Sequence, residues 1–294
     1  MACFHPMVAW QLDDGQVTFK QAGAIRRELK LPCGGCVGCR LERSRMWSIR
    51  VMNEASLHEV NSYVTLTYAP EYLPDNASLQ YRDYQLFMKR LRKQFGPVRF
   101  YMCGEYGERD KRPHYHACLF GVGFGDRKPW GKNNNGDVLY RSKTLENLWP
   151  QGISTVGNVT EQSAAYVARY IMKKVTGQAA DQHYRVVDED TGELVKIVPE
   201  FTRMSLKPGI GADWIKRYKK DVMSGDAVVI KGRKMRPPRY YDKYLKEEEP
   251  DHSEHIEYSR YLNSKKFVDD NSPERLSVRE KVTEAALRFK KREL

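Results

Sequence analysis

His114-Tyr115-His116 runs straight into the apolar segment Ala117-Cys118-Leu119-Phe120, and this junction restricts what the chain can fold into. A short apolar run of this kind reads as a buried strand. Successive side chains of a strand point to opposite faces, so His114 and His116 share one face and Tyr115 takes the other. Tyr115 is therefore expected to join the packing of the sheet and to take no part in chemistry. Two imidazoles side by side on a packed sheet need partners, because burying an unpaired polar ring costs free energy. A divalent metal is the simplest partner they could share, since neutral imidazole is a common ligand. Histidines satisfied by hydrogen bonds, or simply exposed, are the alternative.

The surrounding sequence supplies a sheet for that strand. Val64-Thr65-Leu66-Thr67-Tyr68 is β-branched and aromatic and is closed by Pro70, which predicts another strand. Tyr84, Phe87, Met88, Leu91 and Phe95 recur at helical spacing, with Gly96-Pro97 as the stop and Lys89, Arg90, Arg92 and Lys93 facing outward. Val98 to Cys103 predicts a strand, and the polar stretch 107–112 turns it back into the histidine strand as a hairpin. Residues 121–147 are rich in glycine, asparagine and charge, which predicts a long surface excursion with one short helix. Gly152 to Val156 is short and β-prone. Glu161 to Val175 predicts a helix with Thr160 as its N-cap. The order β-α-β-β-loop-β-α predicts an α+β fold, a central antiparallel sheet with flanking helices. A Cys-rich N-terminal element precedes it and a mostly helical or irregular extension follows. The expected divisions are 1–60 (cysteines and a basic helix), 61–177 (core), 178–270 (extension) and 271–294, a charged helical tail read as peripheral.

Lys and Arg total 50 against 38 acidic residues, a net charge of +12, which favours a polyanionic partner such as nucleic acid. No apolar run approaches the ~20 residues of a membrane span. The N-terminus lacks the basic start and apolar stretch of a secretory signal, so a cytosolic protein without structural disulfides is expected. Cys103 and Cys118 fall inside strand-like runs as core residues. Cys33-x-x-Cys36-x-x-Cys39 is different: three thiols in seven residues, with Cys3 or His5 as a fourth group, match either a structural Zn²⁺ site or reduced, unliganded thiols. Arg40, Arg43 and Arg45 just beyond them, and Lys89 and Arg92 on the later helix, are candidate contacts to a nucleic-acid backbone.

In the 161–175 helix, Ala164, Val167, Ala168, Ile171 and Val175 form an apolar stripe. Tyr166, Tyr170 and Lys173 fall on the opposite side, with Lys174 at its edge. One reading is a solvated face with snorkelling aromatics. The other is covalent catalysis, in which a tyrosine oxygen attacks a phosphodiester, a metal polarises the phosphate and a lysine neutralises developing charge.

Taken together these segments resemble the HUH-endonuclease superfamily of rolling-circle replication initiators. Val64 to Tyr68 resembles its first strand motif, Pro113 to Phe120 its His-hydrophobe-His motif, and Tyr166 to Lys174 its tyrosine motif in the two-tyrosine form. Leu31 to Arg40, Gly104-Glu105-Tyr106-Gly107 and Pro208-Gly209-Ile210-Gly211 are similar to the initiators of microviruses, especially the gokushovirus branch. The resemblance implies histidines on a central strand facing a tyrosine helix. It implies nicking of the viral strand at the origin through a 5′-phosphotyrosine link, and later rejoining of that strand, with Tyr166 and Tyr170 sharing the two cleavages in an unassigned order. It also implies a third metal ligand beside His114 and His116. Glu105 is the choice because the hairpin sets it opposite or diagonal to His114, with Glu108 in the turn as runner-up. Mg²⁺ or Mn²⁺ is the implied cofactor. Origin single-stranded DNA, a host helicase and a DNA polymerase are the implied partners, in the cytoplasm of a bacterial host. Two other classes compete: a non-enzymatic, zinc-stapled DNA-binding protein, and a His-x-His-x-His nucleotide hydrolase. The second is weakened because Cys118 stands where its third histidine would be.

Overall fold

Alternation of side chains along three strands explains how one sheet can carry both a core and a polar site. The structure, a computed structural model, describes all residues except 1–2, 108–109, 134–135, 170–173, 176, 189–190 and 290–294. Its contacts group the chain into two units, Met1–Arg43 with Pro250–Arg292, and Ser44–Glu249 with the last two residues.

In the first unit, β1 (Met7–Leu12), β2 (Val17–Thr18) and β3 (Ile25–Leu31) form an antiparallel sheet in the order β2-β1-β3. Helix α1 (Val37–Ala55) begins here, starting earlier than the sequence predicts because the cysteine loop itself winds into its first turn.

The second unit holds β4 (Asn61–Tyr68), α2 (Tyr81–Phe95), β5 (Arg99–Tyr106), β6 (Pro113–Phe120), β7 (Lys128–Lys132), β8 (Val138–Arg141), α3 (Lys143–Leu148), β9 (Gly152–Gly157) and α4 (Glu161–Arg169). It continues through α5 (Gln178–His183), β10 (Arg185–Val187), β11 (Leu194–Lys196), β12 (Phe201–Met204), α6 (Ala212–Ser224), β13 (Val228–Ile230), β14 (Arg233–Met235) and α7 (Arg239–Glu248). A seven-stranded sheet runs β12-β5-β6-β4-β9-β8-β7, and its recorded pairings are all antiparallel. The α+β class with a central antiparallel sheet is as the sequence predicts. The excursion at 121–147 differs: besides α3 it contains the β7–β8 hairpin, which extends the sheet.

The sheet has two unlike faces. On one, Leu66, Tyr68, Met102, Tyr115, Ala117 and Leu119 pack beneath Tyr84, Phe87, Met88 and Leu91 of α2 and beneath α3. Tyr115 is fully buried there, its hydroxyl bonded to Tyr68 and to the backbone of Gln80, and burial pushes its pKa up to about 12. On the other face, Tyr63, Tyr101, Cys103, Cys118 and Phe120 pack against Val51 and Ala55 of α1, Ala164, Val167 and Ala168 of α4, and Ile210. Cys118 is pushed up to about 12 by burial, as suits a core thiol.

The Pro208-Gly209-Ile210-Gly211 segment is held by buried charge. Arg50 donates to the Ile210 carbonyl at 2.9 Å, Arg99 donates to the carbonyls of Pro208 and Gly209, and the Gly211 N–H donates to Glu54 at 2.7 Å. Gly209 is required sterically, since a Cβ there would stand 2.4 Å from the Tyr240 hydroxyl.

The remaining helices, α8 (Pro250–Lys265) and α9 (Pro273–Phe289), belong to the first unit. The segment read from sequence as a peripheral tail thus shares a unit with the N-terminal sheet: Leu276 is buried, and Glu280 lies 2.7 Å from His5 Nε2. No described helix is long and apolar enough to cross a membrane.

Candidate active site and cysteine cluster

Register builds the site. Glu105 stands directly opposite His114, and Cys103 directly opposite His116, across the β5–β6 pair. On the other side of β6, Thr67 faces His114 and Thr65 faces His116. The period of two then sends Glu105, His114, His116, Tyr63, Thr65 and Thr67 to one face. His116 is 7% exposed and Glu105 4%. His116 Nε2 lies 2.9 Å from Glu105 Oε1, and its Nδ1 lies 2.9 Å from the Tyr63 hydroxyl and 3.0 Å from that of Thr65. Burial first, and then the neighbouring Tyr166, hold the Tyr63 phenol far above its usual pKa, so it remains a neutral hydroxyl.

The glycines of the Gly104-Glu105-Tyr106-Gly107 segment serve the same geometry. A Cβ at Gly107 would lie 3.1 Å from His114 Nε2 and 2.7 Å from Asp110 Oδ1, and one at Gly104 would meet Leu79 at 3.0 Å.

Tyr166 reaches this face from α4. Its hydroxyl is 3.5 Å from Glu105 Oε1, and its ring stands edge-on to His116 with centroids 5.2 Å apart. The sequence predicts this tyrosine on the side of the helix away from the core; it is instead half-buried against the sheet. The apolar stripe of α4 seats on the apolar end of the face, which leaves the flank of the helix over the histidine end. Lys174 is exposed beyond the end of α4, which stops before the predicted Val175. Tyr170, Lys173 and the runner-up ligand Glu108 lie outside the described residues.

Two donors here fit one divalent cation, and the third stands apart. Adjacent ligands at ~2.1 Å on an octahedral ion are ~3.0 Å from each other, which is the spacing of His116 Nε2 and Glu105 Oε1 at 2.9 Å. His114 shares the face, but its ring centroid is 6.4 Å from that of His116. Tyr63 and Thr65 are the residues that sequence reasoning missed. They bond the far nitrogen of His116, the arrangement that orients a ligating imidazole. Their signal was present as polar side chains at every second position, Tyr63-x-Thr65-x-Thr67.

Among the described residues, the one set of three or more His, Cys, Asp or Glu whose ligand atoms converge is Cys3, Cys33, Cys36 and Cys39, all within 4.8 Å of one another. Tetrahedral Zn–S bonds of ~2.3 Å require sulfurs ~3.8 Å apart, and Cys33–Cys39 at 4.0 Å and Cys36–Cys3 at 3.9 Å come close. Backbone N–H groups of Phe4, Cys33, Cys36 and Cys39 donate to the sulfurs at 3.3–3.4 Å. Burial raises the Cys36 thiol, but the N–H groups of Phe4 and Cys39 and the neighbouring thiols outweigh it and bring it to about 6. Cys3 and Cys39 are raised, chiefly by burial. This donor set can hold a structural metal such as zinc. Cys3, not His5, is the fourth group, since His5 is turned to Glu280.

The candidate basic contacts scatter. Arg40 and Arg43 follow the cysteines, while Arg45 donates to the Arg236 carbonyl at 2.7 Å. Lys89 and Arg92 sit on the solvent side of α2, behind the sheet from the histidines, and Arg92 bonds the Val98 carbonyl.

Comparison with known proteins agrees with this constellation. A family model for replication-associated proteins of the ORF2 type matches residues 61–175. Replication-associated protein VP4 of Bdellovibrio phage phiMH2K is 31% identical over 286 residues, covering 92% of this chain and 86% of its own. Replication-associated protein ORF2 of Spiroplasma virus 4 is 31% identical over 274 residues, covering 84% and 81%. No solved structure matches. On this similarity the chain belongs to the family of phage replication-associated proteins.

Proposed function

We propose that this protein initiates phage DNA replication by nicking the viral strand at its origin and rejoining it after a round of synthesis. The observation that carries the reading is the Tyr166 hydroxyl at 3.5 Å from Glu105, on the sheet face that also holds His114 and His116. Tyr166 Oη attacks the phosphorus of a single-stranded phosphodiester. The tyrosine–phosphorus bond forms, the bond to the 3′ oxygen breaks, and the 5′ phosphate stays on the tyrosine. The 3′ oxygen leaves as a free hydroxyl that can prime a polymerase, and Glu105 is the carboxylate nearest the phenol proton. Mg²⁺ or Mn²⁺ held by His114, His116 and Glu105 would make the phosphorus electrophilic by polarising a non-bridging oxygen. Tyr63 and Thr65 keep the His116 ring aimed at Glu105. Rejoining is the same exchange in reverse, and Tyr170 with Lys173 and Lys174 would serve it from the same segment. The partners are origin DNA, a host helicase and a DNA polymerase, in the cytoplasm of the bacterial host.

The test mixes the protein with a labelled single-stranded origin oligonucleotide and Mg²⁺ or Mn²⁺, followed by denaturing electrophoresis. A covalent protein–DNA band is expected in the native protein and in Tyr115→Phe. It should vanish with EDTA and in the double variant Tyr166→Phe/Tyr170→Phe. The cysteine cluster favours one rival, a zinc-stapled protein that only binds DNA. Tight binding with neither adduct nor cleavage would establish that rival.

A further inference from the structure

The histidine-bearing face is covered at one end only. Helices α1 and α4 bury Tyr63, Tyr101, Cys118 and Phe120, whereas Thr65, Thr67 and Thr155 stay partly open and Ile153 is 48% exposed. This open end continues as a cross-strand row. Cys103, His116, Thr65 and Thr155 are successive register partners across β5, β6, β4 and β9. Tyr140 pairs with Val156, so the next position sets Arg141 beside Thr155, and Lys128 is opposite Arg141. Four strand spacings, ~19 Å, separate His116 from Lys128.

At the end of the row the hairpin is built unlike a protected sheet edge. Every residue of β7 is exposed, and Trp130 is 59% exposed on a strand that is otherwise Lys-Pro-Gly-Lys. The Arg141 guanidinium lies 5.8 Å from the Trp130 ring, so both look to the same side, and Glu146 holds Arg141 there. The other nearby acids are engaged. Asp126 accepts from the Ser142 hydroxyl at 2.6 Å and the Thr144 N–H at 2.8 Å, closing the base of the hairpin, and Asp137 bonds Asn133. An exposed aromatic ring between cations, on a face leading to a phosphodiester site, matches how single strands are gripped without sequence preference.

We propose that the β7–β8 hairpin docks the single-stranded DNA that flanks the cleaved phosphodiester, with Trp130 stacking on a base and Lys128 and Arg141 meeting phosphates. The inference rests on the nicking role proposed above. Charge favours this occupant: the row ends in Lys128 and Arg141, and the chain carries +12 overall.

The experiment compares binding of two labelled oligonucleotides by fluorescence anisotropy, a minimal origin and the same origin extended by about ten nucleotides, a typical single-strand site size, on either end. The native protein should bind one of the extended forms more tightly, and Trp130→Ala should remove roughly tenfold of that gain, the cost of one lost base–aromatic stack. Lys128→Glu should flatten the salt dependence of the extended oligonucleotide by about one phosphate contact. Tryptophan fluorescence quenched by the extended strand should lose its largest component in Trp130→Phe, which keeps an aromatic ring and guards against misfolding. Equal affinity for all lengths overturns the proposal. So does a hairpin that pairs its β7 edge with a second chain, seen as Trp130-dependent sedimentation without length dependence. Adduct formation by the native protein on the minimal origin reads the nicking role separately, so each can fail alone.

Discussion

His116 is bonded through both ring nitrogens, and its neighbours differ in kind. With Nε2 donating to the Glu105 carboxylate, Nδ1 accepts from the hydroxyl of Tyr63 or Thr65. For Nε2 to ligate a cation the proton must sit on Nδ1 instead, and a hydroxyl can accept it as readily as it donated. The double variant Tyr63→Phe/Thr65→Val removes both oxygens. It is expected to weaken Mn²⁺ binding by ~10–100-fold, read by calorimetry without DNA, while circular dichroism stays unchanged. Unaltered Mn²⁺ affinity in a folded variant would remove the orienting role. At this scale the sequence was informative where strand period alone decides position. His114, His116 and Glu105 share a face by arithmetic, and Tyr115 takes the opposite one. Tyr63 and Thr65 were hidden because tyrosine and threonine are also ordinary strand formers. The approach of Tyr166 depends on how α4 seats, which no single residue announces.

Element by element, the long periodic pieces were legible and the polar excursion was not. Helix α2 and strands β4, β5 and β6 carry dense apolar patterns, and their predicted limits match closely. Residues 121–147 read as loop because glycine, asparagine and charge dominate, yet β7 and β8 pair within them. An exposed edge hairpin buries little, so it leaves no apolar signature. Its hold is instead the Asp126 carboxylate at its base. The Ser142 hydroxyl first, and then the Thr144 N–H, place the Asp126 pKa below the ordinary carboxylate range. A carboxylate whose folded pKa is depressed contributes stability that is present above its unfolded value and lost as pH falls through the folded one. Amide protection across the hairpin should therefore fall in acid, below about pH 4 where a free Asp titrates. Asp126→Asn should show weakened protection already at neutral pH and a shallower acid response, measured by hydrogen exchange. The same acid response in the variant as in the native protein would discard Asp126 as the clasp.

Across the molecule, the cysteine cluster is the piece whose chemistry is most nearly complete without DNA. Three thiols could be recognised from spacing, but the fourth lay some thirty residues away, and only the folded chain brings Cys3 to Cys33 and Cys36. The choice between Cys3 and His5 was not decidable from two adjacent candidates. We expect one zinc per chain by elemental analysis after purification without chelators. Cys36→Ser, or a strong chelator, should release it and lower the melting temperature. Full stability after complete metal removal would show that the thiols stand alone.

The unit containing those thiols joins Met1–Arg43 to Pro250–Arg292, and this fixes an order of events during synthesis. The ribosome delivers the cysteines first and α8 and α9 last, with the whole of the sheet-bearing unit made in between. Contacts separated so widely along the chain form slowly, because a long loop must close before they yield any stabilisation. The sheet with its histidines can thus be complete while the N-terminal strands still wait for their helices. A translation product that stops short of Pro250 would carry the chemistry without the assembly that both ends of the chain build together.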